Sequence, residues 1–397
     1  MAPGHRAGTV SRVISHATTS PVAGTSAALA EAVIDLGAIA ANVRTIGAVT
    51  RTDVMAVVKA DGFGHGAAAA ARAALDGGAT WLGVTSSAEA LALRAGGITA
   101  PILSWLHRPD EDFGPLLAAG VDVSVSTVPH LRSVAAAAAR CGQTAMVQLK
   151  VDTGLSRNGA RADEWGDLVA LARAYETAGS VRVRGVWSHL QDADQPGSPL
   201  VRRQVSAFRA AVRVARAAGL DPVLLHLANS AAALTAPATR FDICRVGLAV
   251  YGVEPVGHAN FGLRPAMTLR SSVVNLKRVP AGTGVSYGPD HVTGAPTTLA
   301  LVPVGFADGL PRSAEGRAEV LVGGGRCPVV GRITMDQVVV DVGDRPVRLG
   351  DTVTLFGPGT AGEPTAADWA RWAGTNPNDI LTGIGARVAR RYTGVTA

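Results

Sequence analysis

Between Glu31 and about Arg264 the chain alternates between two textures, and that alternation leaves few folds open to it. Short runs rich in β-branched residues end in polar or glycine residues, and alanine-rich amphipathic stretches follow them. The strand candidates are Val54–Lys59, Trp81–Ser86, Pro101–Leu106, Val121–Ser126, Ala145–Asp152, Val183–Leu190, Val223–Ser230 and Ile243–Tyr251. Helical stretches such as Gly66–Leu75, Ala88–Ala95, Leu131–Arg140, Trp165–Ala178 and Val201–Ala218 fill most of the gaps. Strand and helix in turn imply a parallel sheet, because parallel neighbours can be joined only by a crossover. Eight strands within about 200 residues favour a closed, TIM-like (β/α)8 barrel over an open sheet. The first helix opens on no GxGxxG, which speaks against a dinucleotide fold.

After Arg264 the texture changes. Thr268–Val279, Thr298–Val304, Ala318–Val322, Val338–Val342 and Thr352–Phe356 read as strands between Gly- and Pro-rich turns, with one short helix at Ala366–Trp372. The expected architecture is α/β. A barrel over residues 31–264 is followed by a smaller, mostly β domain over 265–397, and residues 1–30 form a tail.

Composition narrows the function. At 397 residues and 47% hydrophobic, the chain has material for two cores. The net charge is +6, but the arginines are scattered rather than gathered into the patch a nucleic-acid binder uses. No apolar run reaches the roughly 18 residues of a membrane helix. Cys141, Cys244 and Cys327 are far apart and match no zinc or thioredoxin-like spacing, which fits reduced thiols in a cytoplasmic protein. Residues 1–30 hold no acidic side chain. Their composition fits a disordered tail, or less well a transit peptide, and contains no secretory apolar core.

A barrel places chemistry at the C-terminal ends of its strands. Reactive residues collect there: Lys59; Lys150 and Asp152, then Arg157; His189; Asn229 and Ser230; Arg245 and Gly247. Of 37 basic residues only Lys59, Lys150 and Lys277 are lysines. An arginine cannot form an imine, whereas a desolvated lysine can. Lys59 precedes Ala60-Asp61-Gly62-Phe63-Gly64-His65-Gly66, a turn that would admit a bulky ring. By spacing alone it reads more readily as a strand-capping lysine paired with Asp61. Asn229-Ser230 and Arg245-Val246-Gly247 fall where barrels hold phosphate, although Ser230 could be only a helix cap. Together these positions suit pyridoxal 5′-phosphate lying across the barrel mouth.

The ordered motifs resemble the alanine racemase family. The matches are Ala56–Gly66, Lys150–Arg157, Trp187-Ser188-His189, His226–Ser230, Arg245–Gly252, Val285-Ser286-Tyr287-Gly288 and Gly331–Gln337. The resemblance implies a pyridoxal-phosphate isomerase that interconverts L- and D-alanine by two-base proton transfer and supplies D-alanine for peptidoglycan. It implies a head-to-tail homodimer in which Lys59 and Tyr287 of the other subunit are the two bases. It places Arg157 on both the cofactor's phenolic oxygen and the substrate carboxylate, the Met335 backbone on the substrate, Arg245 against the pyridine nitrogen, and His189, Asn229, Ser230, Gly247 and Tyr251 around the cofactor. Lys150, which can be carbamylated in this family, and Asp336 would support Arg157 and the Met335 loop. Outside the motifs, Tyr287 reads as a turn tyrosine and His189 as a structural histidine.

Three positions depart from the family pattern. Phe63, Asn378 and Phe306 stand where tyrosines are usual, the first two directed at phosphate and the third at the substrate entrance. Phe306 therefore also admits a racemase for another amino acid such as serine. A paralogue that binds cofactor or inhibitor with little turnover is a further alternative, against which the retention of Lys59 and Tyr287 argues.

Overall fold

The computed structural model describes residues 28–257, 259–288 and 290–394, so nearly all of the expected N-terminal tail lies outside the described residues. Strand β1 (Ala30–Asp35) comes first and is not part of the barrel. The barrel strands are β2 (Asp53–Val57), β3 (Trp81–Val84), β4 (Ile102–Ser104), β5 (Asp122–Val125), β6 (Ala145–Lys150), β7 (Val181–Trp187), β8 (Leu224–His226) and β9 (Ile243–Val246). They run parallel in sequence order from β2 to β8, and β9 closes back onto β2. Asp242 N donates to Leu225 O and Arg245 N to Ala228 O, both at 3.0 Å, across the remaining β8–β9 edge. The result is a nearly closed (β/α)8 barrel.

All eight expected strands form, but several stop short of the boundaries read from sequence. The run Ile243–Tyr251 divides because Gly247 takes φ −108° and ψ −86°, and Leu248–Tyr251 then coils as a 3-10 turn. Alternation sorts the strand residues. Val54 and Ala56 of β2 join the large core beneath the helices, whereas Met55 points inward to Trp81, Leu103 and Ile243.

The second unit begins with β10 (Met267–Ser272) and β11 (Asn275–Val279), so the single expected run Thr268–Val279 is two strands. A hairpin of β12 (Gly284–Val285) and β13 (His291–Val292) follows. Then come β14 (Thr297–Val302), β15 (Glu319–Val322), β16 (Gly325–Val330), β17 (Val338–Asp341), β18 (Thr352–Phe356) and β19 (Ala389–Thr393). A nine-stranded sheet has the order β11-β14-β17-β16-β15-β18-β10-β1-β19. Sequence reading did not find β1, β16 or β19. Strand β19, Ala-Arg-Arg-Tyr-Thr, is an edge strand whose charges suit solvent and hide its pattern.

The two units meet at the Lys59 turn. The helix Pro377–Gly383 packs there because Gly64, at φ +79°, lets Leu381 O approach; a Cβ on Gly64 would lie 2.3 Å from that oxygen. Arg390 Nε donates to Gly64 O at 3.1 Å and its Nη2 to Ile384 O at 2.5 Å. A Gly64→Ala substitution meets both the steric block and an unfavourable backbone region. It is expected to cost on the order of 3 kcal/mol or more in urea unfolding. An unchanged midpoint would show that this contact yields freely.

Candidate active site

Beyond β2 the backbone enters an unusual turn. Ala60, Asp61, Gly62, Phe63 and Gly64 all have positive φ, between 52° and 79°. For a residue with a Cβ that conformation costs about 1–2 kcal/mol, so the turn needs external support. Glu89 Oε1 accepts from Ala60 N at 2.8 Å, while its Oε2 accepts from Thr85 N and Ser86 N. Asp61 Oδ1 accepts from Ala67 N at 2.8 Å, so the carboxylate expected to pair with a strand-capping Lys59 instead caps the next helix. Buried His65 lies with Nδ1 2.8 Å from Phe63 O and 3.0 Å from Gly62 O, and its ring packs on Tyr251. These contacts present Lys59 to a cavity of about 770 Å³ at the C-terminal ends of the barrel strands.

The cavity wall brings together Lys59, Lys150, Arg157, His189, Asn229, Ser230, Arg245 and Gly247, together with Phe63 and Asn378. Burial lowers the Lys59 amine below its usual value, Arg157 lowers it further, and Glu89 opposes them. Lys150 is pushed down to about 7, first by burial and then by Arg245 and Arg157. Its Nζ sits 4.2 Å above the Trp187 ring. Arg245 is 4% exposed. It donates to Ser188 O at 2.7 Å and to His226 Nδ1 and His189 Nδ1 at 3.2 Å each. Burial and the surrounding cations hold His189 down at about 2, so its imidazole is a neutral acceptor for Arg245.

Beside the Lys59 turn, at the ends of β8 and β9, is a polar corner. Asn229 caps the helix Ser230–Thr235, its side chain accepting from Ala232 N at 3.1 Å. Gly247 N and Ala249 N point at Ser230 Oγ, at 3.1 and 3.4 Å. A Cβ on Gly247 would lie 2.9 Å from Phe63 Cζ, so glycine lets the aromatic ring lie against this corner. An anion placed here meets the Ser230 hydroxyl at the N-terminus of the helix Ser230–Thr235.

Other expected site residues lie elsewhere. Tyr251 is outside the cavity wall; its hydroxyl donates to Val57 O at 3.1 Å and its ring packs on Phe63, so it braces the Lys59 turn from behind. Tyr287, Met335 and Asp336 line a separate concave surface with Phe306 and Arg312. Tyr287 is 72% exposed and Met335 55%. Asp336 accepts from Arg387 Nη1 at 2.8 Å, and Arg387 Nε donates to buried Asp308 at 3.0 Å. Phe306 N donates to Thr334 O and Ala307 N to Met335 O, each at 3.0 Å, so the Phe306 and Met335 loops are tied together.

Three site residues were not picked out from sequence. Trp187 forms a floor under both Lys150 and Arg245. Glu89 holds the Lys59 turn. Gln204 accepts from Gln191 N and donates to Thr153 Oγ1 and His189 O, tying two mouth loops together. Trp187 stands beside His189 in a recognised motif, a signal that could have found it. Glu89 and Gln204 sit on helices where they read as ordinary polar positions.

Burial lowers the imidazoles of His65 and His130 to about 4 and His189 to about 2, and also lowers His107 and His226, all from 6.5. Unfolding frees them to take up protons below 6.5. Stability is therefore complete above 6.5 and falls as the pH drops toward 4. The urea midpoint should decline over that interval, before most carboxylates titrate. A flat midpoint would contradict neutral burial of these rings.

Two family models match the chain: alanine racemase, N-terminal domain, over residues 34–255, and alanine racemase, C-terminal domain, over 266–392. An alanine racemase of Frankia casuarinae is 54% identical over 368 residues, covering 91% of this chain and 95% of that one. The crystal structure of alanine racemase from D-cycloserine producing Streptomyces lavendulae superposes with a TM-score of 0.92 at 49% identity, covering 94% of this chain and 98% of the other. Alanine racemase from Bartonella henselae, solved with covalently bound pyridoxal phosphate, superposes with a TM-score of 0.83 at 28% identity, covering 92% and 100%.

Proposed function

The chain belongs to the alanine racemase family, and from that premise we propose that it interconverts L- and D-alanine using pyridoxal 5′-phosphate held at Lys59. The observation that carries this reading is a desolvated lysine amine and an anion-binding corner in the wall of one cavity. The fit to the cofactor is good. Ser230 and Gly247 line the cavity; Gly247 N and Ala249 N donate to Ser230 Oγ, which leaves its O–H free to donate to a phosphate. Asn378 Oδ1 lies buried in the cavity wall without a hydrogen-bond partner among the described residues. Turning that amide over puts an N–H at the same place. When bound, the cofactor supplies an electrophilic carbonyl for the Lys59 amine and a conjugated ring that accepts charge from the substrate Cα.

The chain's residues supply the rest. Lys59 Nζ moves a proton at one face of Cα, and Tyr287 Oη of a second copy moves one at the other. A homodimer is supported by the exposure of Tyr287 and Met335 on a surface separate from the Lys59 cavity of their own chain. Arg157 and the Met335 backbone orient the substrate carboxylate. Arg245 stays cationic, since burial lowers it only to about 9, and as a donor it keeps the pyridine nitrogen unprotonated. Less charge then enters the ring, which restrains side reactions. Lys150, lowered to about 7, has a neutral fraction that can take up CO2; the resulting carbamate would replace a repelling cation beside Arg157 with an anion. We place the enzyme in the cytoplasm, feeding D-alanine to peptidoglycan synthesis. Its three cysteines are unpaired, as a reducing compartment requires.

In deuterated water the cofactor-loaded protein should exchange the α-proton of both alanine enantiomers. Lys59→Ala should abolish exchange. Tyr287→Phe should stop racemisation while leaving exchange of the one enantiomer that Lys59 serves. Absence of exchange from either enantiomer, with cofactor bound, would overturn the proposal. Asn378→Ala removes one hydrogen bond to a charged group and should weaken cofactor affinity about tenfold to a hundredfold in an absorbance titration. Equal affinity would show that Asn378 does not reach the phosphate.

A further inference from the structure

The barrel interior holds a polar column where branched apolar side chains normally fill the space. Arg184 Nη1 donates to Asp122 Oδ1 at 3.0 Å. Gln148 Nε2 donates to Asp122 Oδ2 at 2.8 Å, and Gln148 Oε1 lies 2.7 Å from His226 Nε2. His226 Nδ1 lies 3.2 Å from Arg245 Nη1. Asp122, Gln148, His226 and Arg245 are each 4% exposed or less. Asp122 opens β5, at the end of the barrel away from the mouth, so the column spans the barrel from bottom to top.

We propose that Asp122 is a positioning residue that sets the hydrogen-bond direction of the whole column and thereby holds Arg245 as a fixed donor beneath the cavity. The argument is one of donors and acceptors. A carboxylate only accepts, so Gln148 must turn its NH2 toward Asp122 and its carbonyl toward His226. That carbonyl requires a proton on His226 Nε2, which leaves the Nδ1 lone pair to accept from Arg245. Turning Gln148 over would set its carbonyl against Asp122 and its NH2 against His226 Nε2. His226 would then carry its proton on Nδ1, donor against donor with Arg245. Flipping the His226 ring in its plane, parallel to Trp187, would put ring carbons against Gln148 and Arg245 and lose both hydrogen bonds. Burial pushes the Asp122 carboxyl up to about 6, against the opposing pull of the Gln148 hydrogen bond, Arg184 and Arg94, so it is a carboxylate at neutral pH, where the test is run. What Arg245 then does to the cofactor rests on the function proposed above; the column itself does not.

The test reads the His226 tautomer by 15N NMR in the full-length protein without cofactor, and then the absorption spectrum and kinetics after loading with pyridoxal phosphate. Wild type should show a neutral imidazole protonated at Nε2. Asp122→Asn keeps the size but lets the side chain present either end, so His226 should become a mixture of tautomers. The loaded variant should show a shifted cofactor absorption band and a kcat about threefold to thirtyfold lower at unchanged KM, with cofactor still bound. A wild-type His226 protonated at Nδ1 would overturn the proposal even if the variant does not fold. So would an Asp122→Asn protein that keeps the pure Nε2 tautomer and the wild-type spectrum. Failure of the cofactor to bind wild type would instead count against the proposed function and leave the tautomer result standing.

Discussion

Lys59, Lys150, Arg157 and Arg245 share one cavity whose wall, among the described residues, contains no carboxylate. Four cationic groups in a partly dry space repel one another, and the shifts show how the protein copes. The lysines move toward neutrality, His189 stays neutral, and Arg245 keeps its charge by donating to carbonyls and imidazoles. Such a cluster favours any anion that enters, and it favours a lysine amine that is free to act as a nucleophile. The negative charges that the chain could have spent here sit outside the wall: Glu89 and Asp61 hold the backbone of the Lys59 turn, and Asp122 lies at the bottom of the barrel.

That separation has a mechanical side. Five successive residues with positive φ are held by side chains whose own positions depend on other elements. Glu89 begins the helix after β3, His65 packs on Tyr251 beyond β9, and Gly64 meets a helix from the C-terminal unit. The turn that presents Lys59 is thus secured from three directions, and strain is tolerated because the surroundings over-determine it. Below it, the hydrogen-bonded column sets the direction of Arg245 by the same logic of one permitted arrangement.

Much of this was legible in the residues. The eight barrel strands were readable because β-branched runs alternate with alanine-rich helices, and a barrel puts strand ends at one mouth. The scarcity of lysine drew attention to Lys59 and Lys150, and both line the cavity. Less legible were β1 and β19, which lie side by side and join the chain's two ends through a parallel pair. Nothing local in Ala30–Asp35 says that its partners are more than two hundred residues away. Tyr251 belongs to a recognised motif, yet its hydroxyl is spent on Val57 O behind the turn. Only packing tells a residue that lines a cavity from one that braces it.

By itself the sequence determined the alternating pattern, hence the barrel, and it determined which reactive side chains stand at strand ends. Those properties are local: periodicity and residue type survive without knowledge of the fold. Tertiary structure decided the environment of each group. It decided that Asp61 caps a helix instead of pairing with Lys59, that Glu89 reaches Ala60, and that Asp122, Gln148, His226 and Arg245 form one directed chain. The reason is that charge state and hydrogen-bond direction depend on neighbours and on exclusion of water, and those neighbours are brought together only when distant segments close into the barrel.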